Sequence, residues 1–386
     1  MEKSIQLQTN IRKLKKFTFV FSFFYFYACY KYYEIDPEHP VIGVVVFLSL
    51  FALMMASMFV GRFRHDLYEH PVYLICVWGG SIFMGFAGSY LVLAGPIDAI
   101  NMAYALLNNY EGFLNTNANL GIFYFVGFTT AGGLVYALMG PEIVQVEIIA
   151  PENSPKGLDG LKIVQISDLH IGTTVKTRYV RTVVNRVNAL NPDIIIITGD
   201  LVDFHTPAIR KHLQPLADLK STRGTYGITG NHEYYWGLNT LFYELEEVGI
   251  IMMVNENKII DFNGAKILLS GVPDTSGHLF EPSHLIDMAK AAHSDIPADF
   301  KVLMSHRPDT YKSAEKHGFD IQFSGHTHAG QFFPFNLIIP LAHKYYKGLH
   351  RHGKLWLYIN RGTGFWGPAN RFGIRSEITL ATLRVR

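Results

Sequence analysis

Five short blocks of this 386-residue sequence carry side chains able to grip a cation: Asp168 with His170, Asp200 with Asp203, Asn231 with His232 and Glu233, His306 alone, and His326 with His328. Each block follows an apolar run that reads as a strand, so each sits where a strand opens into a loop. Taken singly, they have ordinary explanations: an Asp caps a helix, Gly230-Asn231 makes a turn, a His lies on the surface. Taken together they do not. A sheet gathers its strand ends at one edge, where these carboxylates would repel and these imidazoles would stand unpaired. Divalent metal resolves the conflict. Carboxylate, amide and imidazole donors with no thiolate suit Mn, Fe, Zn or Mg. The candidate ligands exceed what one ion needs, and two ions about 3.5–4 Å apart, bridged by a carboxylate, activate water and clamp a phosphoryl group.

The elements that must position these residues can be read from hydrophobic period. Ile194 to Ile197 is a run of four β-branched residues that ends at Gly199-Asp200, the pattern of a central strand buried on both faces. Asp200 therefore lies at a carboxyl strand end, the usual place for ligands in a sheet covered by helices. Strands are also expected at 161–167, 225–229, 266–271, 301–305, 320–324, 354–360 and 377–385. A helix is expected over 177–190, with Thr177 as its cap and Val180, Val183, Val184, Val187 and Leu190 as its buried stripe. Another is expected over 239–248, capped by Asn239 and stopped by Gly249. Strand, helix and strand over 161–199 make a βαβ unit, which places this part of the chain in the α/β class.

The blocks resemble the pattern of the calcineurin-like metallophosphoesterase family: Asp168-Leu169-His170, Gly199-Asp200, Gly230-Asn231-His232-Glu233, His306, and Gly325-His326-Thr327-His328 stand in the family's order. The resemblance covers roughly residues 160 to 386. Fuller strings (Ser167 to His170, Gly199 to Asp203, Ser305 to Pro308, Gly325 to Gln331) are similar to a bacterial branch often found membrane-associated or exported. It implies a two-layer β-sandwich flanked by helices, with two metals at one end. Asp168, His170 and His328 would hold one ion, Asn231, His306 and His326 the other, with Asp200 shared between them. His232 is then the non-ligand histidine, suited to contact the phosphate and protonate the leaving oxygen. Asp203 and Glu233 are expected to support ligand histidines, and Arg307 to touch phosphate. The resemblance extends to the loop from Arg361 to Gly373, read either as a packed turn or as a wall of the substrate entrance or membrane-facing lip.

Ahead of this domain the texture is that of a membrane protein. After Arg12, Lys13, Lys15 and Lys16, apolar stretches run over 17–33, 41–60, 72–95 and 119–139, the last three each having about the 20 residues needed to cross a bilayer. The expected organisation is a multi-span transmembrane anchor of about four helices over 1–140, a linker and first strand over 141–160, and the metallophosphoesterase domain over 161–386. The segment 96–118 reads as an interfacial helix, and the glycines of 79–95 with Gly132 and Gly133 as helix-packing positions. Arg62 and Arg64 join the basic N-terminus on one side, while Glu34, Asp36, Glu38, Asp98 and Glu111 occupy the alternate loops. That bias puts the catalytic domain in the cytoplasm.

Other features narrow the function. A net charge of +2 with no basic stripe argues against nucleic acid as the partner. Cys29 and Cys76 both fall in apolar stretches and are not expected to pair. Among the remaining histidines, His205, His212, His278, His284, His293 and His317 read as ordinary, whereas His343, His350 and His352 beside Tyr345 and Tyr346 could line a cleft. The expected activity is dinuclear-metal-dependent hydrolysis of a phosphomonoester or phosphodiester, with a membrane-derived or lipid-linked substrate favoured by the anchor. The alternative is a membrane sensor or scaffold whose phosphoesterase-like domain has lost turnover.

Overall fold

The computed structural model describes residues 22–23, 25–27, 29–33, 38–108 and 116–386, and these form two compact units. The basic run Arg12 to Lys16, part of the first expected span, and Glu34, Asp36 and Glu111 lie outside the described residues.

The first unit contains α1 (Pro40–Phe63), α2 (Pro71–Asn108) and α3 (Thr116–Leu138) as far as Val135, together with the short segments 333–335 and 367–372. These helices bury one another through Phe47, Met54, Phe83, Ala87, Tyr90 and Val126 while leaving Val41, Ile42, Val72, Ile75, Phe128 and Val135 exposed. Apolar side chains on both the inner and the outer surface are what a lipid-facing bundle shows and what a water-facing one avoids. Two stretches, Pro71–Leu107 and Ala118–Leu138, are long and apolar enough to cross a membrane; Val41–Ala56 is apolar but shorter. The expected interfacial helix over 96–118 is not separate. Helix α2 continues through Pro96 to Asn108. Asp98 therefore lies inside a helix rather than in a loop, where Lys31 and Tyr27 bond its carboxylate at 2.8 and 2.6 Å. Its neutralised charge drops out of the loop count. Gly80 does serve packing, since a Cβ there would press on the Met54 backbone, but Gly132 and Gly133 face Phe372 and Asn370 instead of another helix. Both cysteines are free.

The second unit is a sandwich of two six-stranded mixed sheets. Its strands are β1 (Glu142–Ile149), β2 (Lys162–Ile166), β3 (Ile194–Ile197), β4 (Thr225–Gly227), β5 (Ile250–Met252), β6 (Glu256–Phe262), β7 (Ala265–Gly271), β8 (Phe300–Met304), β9 (Ile321–Ser324), β10 (Gly348–His352), β11 (Leu355–Ile359) and β12 (Glu377–Arg384). One sheet runs β1-β12-β2-β3-β4-β5 and the other β10-β11-β9-β8-β7-β6. Ile194 and Ile196 join Ile267, Leu269, Val302, Ile321 and Phe323 in the core between the sheets. Ile195 and Ile197 point the other way and are equally buried, as expected of a strand covered on both faces. Three strands fall outside the expected set: β5, which lies in the apolar run 250–254, and β6 and β10, whose residues are largely polar or charged.

The helices of this unit are α4 (Thr177–Asn188), α5 (Thr206–Leu213), α6 (Leu238–Glu247), α7 (Met288–Ala292), α8 (Tyr311–Lys316) and, from Asn336 onward, α9 (Phe335–Ala342). Helix α4 buries Val180, Val183, Val184 and Val187, the expected stripe. Its cap position is Lys176, however; Thr177 is the first helical residue and its hydroxyl pairs with His212 at 2.5 Å. Helix α6 likewise starts from Gly237, with Asn239 inside it. What matters for function is direction. β2, β3 and β4 run parallel in the first sheet, and β7, β8 and β9 run parallel in the second, so each set delivers its carboxyl ends together.

Candidate metal centre

The loops after β2, β3, β4, β8 and β9 bring the expected side chains into one cluster, contributed by both sheets rather than by one sheet edge. Three groups hold ligand atoms within 4.8 Å of one another: Asp168, His170 and His328; His170, Asp200 and His232; Asp200, His306 and His326. His170 Nε2 and His328 Nε2 are 3.1 Å apart, as are His306 Nε2 and His326 Nδ1. Asp168 Oδ1 lies 3.4 Å from His328 Nε2. Asp200 Oδ2 is 3.3 Å from His306 Nε2 and 3.9 Å from His170 Nε2, so a single carboxylate oxygen borders both imidazole groups. Donors at right angles on an ion with bonds of about 2.1 Å would be roughly 3 Å apart, which is the spacing seen here.

Backbone conformation aims these groups. Asp168, His170, Asp200, His326 and His328 all have positive φ, between 48° and 68°. Such a concentration of non-glycine residues in the left-handed region marks a site whose surroundings hold it there. The glycines beside them allow the loops to close. A Cβ on Gly199 would meet the Gly230 backbone and His306 Nδ1, and one on Gly325 would collide with Ser167 and Asp168. Ser167 donates to Asp168 Oδ2 at 2.5 Å, and Thr198 O accepts from His306 Nδ1 at 2.8 Å, which turns Nε2 toward Asp200.

Electrostatics agree with a cation. Burial works against ionisation, yet the neighbouring imidazoles hold Asp168 and Asp200 well below the usual carboxylate range. Burial drives His170 far down and takes His326 down to about 3, leaving both rings neutral as metal ligands must be. His306 goes the other way: burial opposes its charge, but Asp200 and Asp168 outweigh that and push it up to about 10. In the protein alone, a proton on His306 does the charge-balancing that a metal would do.

His232 belongs to the same cluster, with Nε2 3.9 Å from Asp200 Oδ2 and its ring 4.7 Å from that of His170. Burial disfavours its cation, but Asp200 and Asp203 hold its pKa up at about 9. Two expected roles are corrected. Asp203 accepts from His232 Nδ1 at 2.7 Å and stays 3.9 Å from the ligand candidate His170. Glu233 supports no histidine; its carboxylate accepts from the backbone N–H groups of Asp200, Leu201, Val202 and Gly230 at 2.6 to 3.2 Å. One residue type cannot reveal which of these two duties it has, because both partners come from distant loops.

Arg307 Nη2 is 3.4 Å from Asn231 Oδ1, and its Nε donates to the buried Asp274 at 2.8 Å. Asp274 escaped the sequence reading although it follows the expected strand 266–271, because Val272 and Pro273 separate it from the strand end. Around the cluster, Tyr235 and Trp366 stand 5.3 and 5.7 Å from the His232 ring. Of the later histidines only His343 comes near, 6.4 Å from His326; His350 bonds Lys347 O and His352 pairs with Glu315. His212 and His284 are taken up by Thr177 and Tyr234, away from the centre.

The comparisons with known proteins agree with one another. A family model described as calcineurin-like phosphoesterase matches residues 161–330. An uncharacterized metallophosphoesterase of Helicobacter pylori is 30% identical over 348 residues, covering 87% of this chain and 89% of that one. A similar protein of Campylobacter jejuni is 29% identical over 346 residues, with 88% and 90% covered. A transmembrane protein with metallophosphoesterase domain from Danio rerio is 36% identical over 261 residues, but the match spans only 59% of its length.

Proposed function

The chain belongs to the calcineurin-like metallophosphoesterase family, and from that premise we propose that it hydrolyses a phosphomonoester or phosphodiester at a dinuclear metal centre. The position of Asp200 Oδ2, bordering both imidazole groups, is the observation that carries this reading. Asp168, His170 and His328 would hold one ion and Asn231, His306 and His326 the other, with Asp200 shared. When bound, such a pair supplies Lewis acidity toward phosphoryl oxygen and lowers the pKa of water. The protein's own residues supply the rest. His232, fixed by Asp203 at Nδ1, keeps its Nε2 proton for the leaving oxygen. Arg307, aligned by Asp274, offers guanidinium N–H groups to the phosphate. The apolar helices and the transmembrane relative support membrane association, a multi-pass anchor, and a membrane-derived or lipid-linked ester as substrate. Arg62 and Arg64 support a cytoplasmic catalytic domain, which a reporter fused to the C-terminus would test.

The test is purified full-length protein loaded with Mn²⁺ and given an aryl phosphodiester and an aryl phosphomonoester. His232→Ala is expected to lower kcat by about 10²–10⁴ with metal content retained. Asp200→Asn is expected to lose metal itself, read by elemental analysis. Equal rates in the wild type and both variants would leave only the reading without turnover.

A further inference from the structure

Helix α9 follows the His326–His328 loop directly and is built almost wholly of apolar residues, Phe-Asn-Leu-Ile-Ile-Pro-Leu-Ala, yet none of them is buried. Leu337 and Ile338 are 64% and 40% exposed, and Leu341 reaches 87%. Leu337, Ile338 and Leu341 together form an apolar surface that calls for a partner. Charge identifies its kind. Between Asp320 and Glu377 the chain contains no acidic residue, while Lys344, Lys347, Arg351 and Lys354 are all exposed just beyond the helix. Lys344 and Lys347 lie over the rings of Tyr345 and Tyr346, at 5.0 and 5.5 Å. An apolar helix followed by tyrosines and lysines is the composition of an element lying in the headgroup layer, with its side chains in the acyl boundary and its cations on anionic phosphates.

From these observations we infer that α9 and its basic flank form a docking surface for an anionic bilayer, placed beside the candidate metal centre. The connection to that centre is short. His343, at the end of α9, has its ring 6.4 Å from that of His326, and Thr327 donates to Tyr346 O at 2.6 Å. Trp366 (47% exposed) stands against the His232 ring, and Phe280 (46% exposed) reaches that ring through Tyr235, so exposed aromatic rings also border the centre. The consequence for substrate, a phosphate ester presented in the headgroup layer, rests on the hydrolase reading above; the docking surface does not.

The test uses the full chain with Cys29 and Cys76 replaced by serine, carrying Leu341→Cys labelled with bimane, in nanodiscs of phosphatidylcholine and phosphatidylglycerol. The label is expected to be quenched by a nitroxide on the lipid acyl chain and shielded from aqueous iodide, whereas a label at Tyr243→Cys on α6 shows the reverse. Removing phosphatidylglycerol, or adding Lys344→Glu with Lys347→Glu, is expected to reduce the nitroxide quenching. A label at 341 open to iodide would overturn the proposal, as would one shielded from both quenchers, which would indicate a protein partner. Quenching indifferent to lipid charge would also overturn it. The measurement is made on resting protein, so it fails or succeeds independently of turnover.

Discussion

At the scale of single residues, Glu233 separates structure from chemistry. Its two oxygens take four buried N–H groups, Leu201 and Val202 on one, Asp200 and Gly230 on the other, and so tie the loop after β3 to the loop after β4. Burial and Asp200 push its pKa up to about 7, against the pull of those N–H groups on the carboxylate. Glu233→Gln would turn an amide NH₂ toward one pair of donors, leaving two N–H groups without acceptors. The expected loss is about 1–3 kcal/mol for each, seen as a lowered midpoint in denaturant. His232→Ala should show the opposite emphasis, a reaction slowed by about 10²–10⁴ with a midpoint change limited to the loss of its Nδ1–Asp203 bond.

At the scale of elements, the centre depends on how closely strand-end loops approach. Asp168 packs under Gly325, and its Oδ1 and Oδ2 accept from His326 N–H at 3.0 and 3.1 Å. Gly325→Ala inserts a methyl where Ser167 and Asp168 already stand, so the loop carrying His326 and His328 must shift. We expect metal affinity to fall by about 10–100-fold, as for lost support around ligands, while β9 stays paired with β8 and β11. A competitive Mn²⁺ titration of the variant, with circular dichroism to confirm the sheets, would check this. Unchanged affinity would mean that the loop has slack that the close contact denies.

At the scale of the whole molecule, protonation and metal loading are linked through His306. Its pKa in the metal-free fold is raised to about 10 from an ordinary value near 6.5. The stability it contributes is therefore fully present below about pH 6.5 and is lost as pH rises through about 10. Metal must displace that proton. Loading at pH 7.5 is expected to release about one proton from this residue, measurable by calorimetry in buffers of different ionisation enthalpy. At 100 times Kd each ion should add about 2.7 kcal/mol, so a chelator should lower the melting temperature, and at fixed free metal by less near neutral pH, where the His306 proton competes with the ion, than near pH 10. Metal uptake with no proton release would show that His306 is not displaced from its Asp200 partner.

The sequence by itself determined the α/β class, the positions of the main strands, and the residue set of the candidate centre. Those properties are local: β-branched runs, helical stripes and a polar residue at the strand end are all written within about ten consecutive positions. It also determined that the N-terminal stretches are apolar enough for lipid, since hydropathy needs no fold to be read. Tertiary structure alone decided what distant groups do to one another. Asp203 and Glu233 differ in role because one faces an imidazole from a neighbouring loop and the other faces four amides. Asp98, apparently a loop charge, is neutralised by Lys31 across 67 positions of sequence. The left-handed φ of Asp168, His170, Asp200, His326 and His328, and the exposure of Leu337, Ile338 and Leu341 in α9, likewise follow from what packs against each segment. Pairing across the fold has no period, so no window along the chain contains it.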